Sequence, residues 1–87
     1  MEDNDLPGVP LKSLIGRGAD VFIASELNAY RRELPHNSKA KRARRFRMVN
    51  PYYDEGEIVA PKGYVMVVDS SRFVRLLPED TLVVQSL

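Results

Sequence analysis

Between Lys39 and Arg47 six cations stand within nine residues, KAKRARRFR, and two tyrosines, Tyr52 and Tyr53, follow closely. Several cations on one short segment can neutralise adjacent phosphates and release their condensed counterions, while aromatic faces beside them can stack on unpaired bases. Arginine outnumbers lysine four to two in the cluster, which suits bidentate contacts to phosphate or guanine. Arg31 and Arg32 lie a short way upstream. The candidate nucleic-acid-binding set is therefore Arg31, Arg32, Lys39, Lys41, Arg42, Arg44, Arg45, Arg47, Tyr52 and Tyr53. The same residues admit a plainer arrangement, a solvated face matched by Asp54, Glu55 and Glu57 or docked on an acidic protein surface.

The formal net charge of +1 conceals this concentration. From Arg31 to Arg47 eight cations face one acid, Glu33, so this window carries +7 and the rest of the chain −6. Like charges so close together oppose the compact state unless a polyanion or nearby carboxylates neutralise them.

Other chemistries find less support. Ile15-Gly-Arg-Gly-Ala-Asp20 precedes a predicted helix, where backbone amides attract anions, but it lacks both the dinucleotide fingerprint and the Walker lysine and reads as a loop hinge. His36 is the sole imidazole and has no acid or second histidine at metal spacing. Ser13, Ser25, Ser38, Ser70, Ser71 and Ser86 would all depend on that histidine as a base, without a nucleophile-elbow context. The acid pairs Asp54-Glu55 and Glu79-Asp80 fall in turn contexts, where acids are common. With no cysteine there is no disulfide, thiolate metal site or cysteine nucleophile. The expectation is a protein without catalytic residues, metal or cofactor.

At 87 residues, 44% of them apolar and 29% charged, the chain is sized for a single small globular domain. No apolar run approaches the length of a membrane span, and the Met-Glu-Asp-Asn-Asp start is acidic where a signal peptide is basic. Together with the lack of cysteine, this points to a soluble protein of the cytoplasm, the host cytoplasm or a virion.

Residues 1–12, with two prolines, a glycine and three acids, read as an extended or mobile N-terminal arm, leaving 13–87 as the domain. Asp20 is a candidate N-cap, and Ile23, Leu27, Tyr30 and Leu34 form a stripe at helical spacing. The principal helix is thus predicted over about 20–33, closed by Arg31, Arg32 and Pro35. Residues 38–44 suit a loop or short basic helix, and alternation from Arg45 to Val49 suits a strand. Tyr64–Val68, Arg72–Leu77 and Thr81–Gln85 read as successive strands joined by short turns, hence an antiparallel meander. Val65, Val67, Phe73, Leu76, Leu82 and Val84 are the strand core candidates. The predicted fold is α+β, one principal helix packed on a three- or four-stranded antiparallel sheet, with closure into a barrel left open.

Pro61, Gly63, Tyr64, the branched run Val65 to Val68, the turn Asp69 to Ser71, the second run Phe73 to Leu77, and Pro78-Glu79 together resemble the C-terminal hairpin of small bacteriophage proteins. Residues 61–80 carry the resemblance, about a quarter of the chain. The glycine stands one place later than in that pattern, and Thr81 or Leu82 replaces an aromatic. The resemblance implies a phage-encoded accessory or virion protein and brings no catalytic residue or cofactor.

The leading expectation is a small non-enzymatic protein that binds nucleic acid or another polyanion through the mid-chain cluster. The alternative is a structural or regulatory protein that docks on a larger assembly, as a virion component or an inhibitor of a host protein, using its arm and its cations.

Overall fold

The computed structural model describes residues 5–48 and 60–86. Among these, Val9–Pro10 forms β1, Leu11–Leu14 a 3-10 turn, Asp20–Ile23 β2, Ala24–Glu33 α1, Arg45–Met48 β3, Tyr64–Asp69 β4, Val74–Pro78 β5 and Leu82–Gln85 β6. The α+β class holds, but the sheet has six strands in the order β1-β6-β2-β3-β4-β5, not three or four, with every neighbouring pair antiparallel. No helix among the described residues is long and apolar enough to cross a membrane.

The two additional strands come from segments whose local signals favoured something else. Asp20 does not cap a helix. It opens β2, whose Val21 is fully buried, and α1 begins at Ala24 after the uncapped Ile23. Val21-Phe22-Ile23 combines β-branched and aromatic residues, which a pleated surface accommodates better than a first helical turn does. The predicted stripe shifts accordingly: Ile23 packs on the core from a strand, Leu34 is exposed, and the buried positions of α1 are Ala24 and Asn28.

Of the segment 1–12 read as an arm, the described residues dock on the domain, Val9–Pro10 as a strand and Leu11 and Lys12 within the 3-10 turn. β1 pairs with β6, Leu11 is fully buried, and the Asn28 side chain clamps Leu6, accepting from its backbone N–H at 2.8 Å and donating to its carbonyl at 2.9 Å. Gly8 makes the approach to α1 possible. Its φ is +73°, and an added Cβ would come within 3.1 Å of the Ala24 Cβ and 3.2 Å of the Val83 carbonyl.

The meander stops after one hairpin. β5 pairs with β4, but β6 lies between β1 and β2. Tracing the antiparallel pairs shows that β5 and β6 run in the same direction, linked only by residues 79–81. On a flat sheet they would stand four strand spacings apart, about 19 Å. Four extended Cα steps span at most roughly 14 Å. The sheet is therefore strongly curled, and the link is bonded from both sides: the Glu79 N–H donates to Gly63, while its carbonyl accepts from Lys12 and that of Thr81 from Leu11.

The concave side of this curl holds the core of Leu11, Leu14, Val21, Phe46, Met48, Val65, Val67 and Val83, with Ile23 and Leu77 packed against it. Four of the six predicted strand core residues therefore need correction. Phe73, Leu76 and Leu82 are exposed and Val84 is only half-buried, whereas Val83 and Leu77 face inward. A one-residue error in strand phase reverses every side chain, and the runs Arg72–Leu77 and Thr81–Gln85 contain too many consecutive apolar residues for their phase to be read locally.

Candidate polyanion-binding segment

β3 alternates cleanly. Phe46 and Met48 enter the core, which sends Arg45 and Arg47 to the opposite face. There the register places Asp20 directly across from Arg47 and Phe22 across from Arg45. Arg47 donates through Nε to Asp20 at 2.9 Å, Arg45 Nε lies 3.7 Å from the other oxygen, and the Arg45 guanidinium sits over the Phe22 ring at 5.8 Å. Two cations thus share one carboxylate. The Arg47 hydrogen bond, then the charges of Arg47 and Arg45, hold Asp20 below the usual carboxylate range despite some desolvation.

Arg44 is held one position before the strand. Its Nε and Nη2 donate to the Glu26 carboxylate, the closest contact being 2.6 Å, and its backbone N–H donates to the same group at 3.0 Å. Glu26 occupies the first turn of α1, where an acid also suits the helix dipole. The Arg44 hydrogen bonds favour the ionised carboxylate and hold its pKa below the ordinary glutamate value. Upstream on α1, Arg32 reaches back to Asp5 at 2.7 Å and Arg31 contacts the Asn28 oxygen at 3.4 Å.

Lys39, Lys41 and Arg42 behave differently. They are exposed on the turn and irregular segment between α1 and β3, and none makes an ion pair or side-chain hydrogen bond among the described residues. Lys41 and Arg42 line a shallow groove against Glu26, Ala29, Tyr30 and Glu33 of α1. A second depression, on the sheet, gathers Arg45, Arg47 and Arg72 around Asp20 and Asp69. The segment 38–44 takes the irregular form of the loop-or-helix alternatives, and β3 begins at Arg45.

The ten predicted residues therefore divide. Arg32, Arg44, Arg45 and Arg47 contact the chain's own carboxylates, and Arg31 contacts Asn28. Lys39, Lys41 and Arg42 project outward. Tyr52 and Tyr53 lie outside the described residues, as do Asp54, Glu55 and Glu57. Among the described residues the acids that contact these cations are Asp5, Glu26 and Asp20, distant in sequence. Asp20 carried a local sign of this role, because Asp20 and Val21 open an alternation on a short apolar run. Glu26 carried none, since its pairing depends on where β3 departs.

The remaining candidates stay apart from any site. Gly16 and Gly18 adopt φ of +86° and +63°, but the segment they shape leads into β2, so the helix N-terminus required for an anion-binding turn is missing there. His36 is exposed in the turn after α1. Among the described residues no group of three His, Cys, Asp or Glu side chains is placed to hold a metal. No protein family, curated protein or solved structure matches the chain.

Proposed function

We propose that the chain is a small non-enzymatic module that binds nucleic acid through the segment 39–47. One observation carries this reading. Among the described residues the six cations of that segment contact two carboxylates, Glu26 and Asp20: Arg44 takes the first, Arg45 and Arg47 share the second, and Lys39, Lys41 and Arg42 are exposed. Binding proceeds by phosphate neutralisation from an exposed, irregular segment that can adapt to a backbone. A reducing, cytoplasmic setting fits a chain with no cysteine.

The test is fluorescence anisotropy with labelled single- and double-stranded oligonucleotides at two salt concentrations. Three phosphate contacts predict an affinity loss of roughly 20- to 40-fold between 50 and 200 mM salt. No binding at 50 mM, or an affinity indifferent to salt, rejects the reading.

A second reading, docking on a larger assembly, draws on a different observation. Tyr64, Val74 and Leu76 of the β4–β5 hairpin are each about half exposed and share one face of the sheet, an apolar patch of the kind that marks interaction surfaces. The resemblance of residues 61–80 to a phage hairpin motivates a virion or phage accessory role under this reading.

A further inference from the structure

β5 ends the sheet on one side among the described residues. The hydrogen-bonding phase of the β4–β5 hairpin is set by two backbone bonds, Asp69 N–H to Phe73 and Glu79 N–H to Gly63. With Val65 opposite Leu77 and Val67 opposite Arg75, the alternation of an antiparallel ladder directs the Arg75 and Leu77 amides toward β4 and the Val74 and Leu76 amides away from the sheet. The Val74 and Leu76 side chains, 53% and 45% exposed, stand on the convex face beside Tyr64, Met66 and Val68. The edge thus offers donors and acceptors together with an apolar surface, the two elements of strand addition.

A second copy of the chain fits this edge poorly. Pairing two β5 strands antiparallel through the outward amides allows three registers. Val74 opposite Leu76 of the copy sets Arg75 directly against its own counterpart, which like-charge repulsion disfavours. Leu76 opposite Leu76 sets Val74 against Pro78, which has no N–H to donate. Val74 opposite Val74 sets Leu76 against Arg72, whose φ of 70° departs from strand geometry. Arg75 and Pro78 therefore protect the edge against self-pairing without closing it to other strands.

We infer that β5 is a docking edge for an extended segment of a different protein, one with an acidic residue opposite Arg75 and an apolar residue on either side of it. The acid complements the Arg75 guanidinium, which engages Asp69 only through Nε at 3.0 Å. The flanking apolar residues extend the face built by Val74 and Leu76. Asp69 has little capacity left to compete, since its other oxygen already accepts the backbone N–H groups of Ser71 and Phe73. This surface is separate from residues 39–44 and its occupant is a protein, so it goes beyond the nucleic-acid reading.

The test uses the full chain labelled with nitrogen-15 and two synthetic peptides, acetyl-Thr-Val-Glu-Val-Thr-amide and the same sequence with lysine at the centre. The glutamate peptide is expected to shift the Val74 and Leu76 amide resonances, slow their hydrogen exchange, and bind about three- to tenfold more tightly than the lysine peptide. Arg75→Glu is expected to reverse that order. Should this variant unfold, Arg75→Gln is expected to bind the two peptides equally. The inference is overturned if neither peptide moves these amides, if both bind alike to the unaltered chain, or if Val74 and Leu76 are already protected from exchange in the free chain. Sedimentation velocity then tells whether a second copy supplies that protection.

Discussion

Residues 39–44 and the adjoining strand Arg45–Met48 are nearly alike in charge density, yet the fold treats them differently. On β3 the side chains are fixed by register: Arg45 and Arg47 share Asp20 while Phe46 and Met48 are sealed in the core. In the preceding segment Arg44 is the one cation that forms an ion pair among the described residues, with Glu26 of α1, and Lys39, Lys41 and Arg42 are exposed. A cluster that looks uniform in sequence is thus half scaffold and half free charge. Cations on a regular element meet whatever the neighbouring element places opposite them, whereas cations on an irregular segment escape that constraint.

The largest expected effect tests the scaffold half. Phe46→Ala, at a position only 2% exposed, should cost about 3–5 kcal/mol of folding stability, measured by urea denaturation; a cost below about 1 kcal/mol would mean that β3 is not anchored from inside. The free half should respond in the opposite way. Replacing Lys39, Lys41 and Arg42 together by alanine should change stability by less than about 0.5 kcal/mol and flatten the dependence of log K on log salt by about 2–3. An unchanged slope would assign binding elsewhere.

Asp20→Asn sharpens the comparison by transferring two residues from one class to the other. With the shared carboxylate removed, Arg45 and Arg47 become available and the salt slope should steepen by about 1.5, read in the same anisotropy titration; a shallower slope would show that Asp20 positions these arginines for contact instead of restraining them. The smallest effect concerns pH. Asp20 and Glu26 are held low chiefly by arginine hydrogen bonds, and Asp69 first by the Phe73 backbone N–H and then by Arg75. Each therefore binds fewer protons folded than unfolded, so its stabilisation is present above the ordinary carboxylate range and is lost as pH falls through the lowered value. Thermal midpoints should be flat above about pH 5 and decline below about pH 4. In Asp20→Asn that decline should be shallower, and an unchanged profile would show that the Asp20 pairs contribute nothing to folding.

Much of the second half of the chain was legible because its signals are local. The turn at Asp69 to Ser71, the runs on either side of it and the onset of a strand at Arg45 follow from alternation and turn residues. The start of α1 was not legible, because Asp20 satisfies a capping rule while Val21 to Ile23 satisfy a strand rule, and the burial of Val21 decides between them. Asn28 was missed as a polar residue on a helix: its value lies in clamping Leu6, twenty-two positions away. The pairing of Arg32, Arg44, Arg45 and Arg47 was not legible for the same reason, since the carboxylates that contact them are all remote in sequence.

The amino-acid order by itself determined where charge accumulates and which short runs extend as strands, because electrostatic density and backbone preference are set by neighbours a few positions away. Only the tertiary structure decided that β6 leaves the hairpin to join β1 and β2, that the N-terminal segment docks on the domain, and which carboxylates Arg32, Arg44, Arg45 and Arg47 meet. Those outcomes depend on curling the sheet until a three-residue link can span it, and on the contacts that the curl creates between residues far apart along the chain.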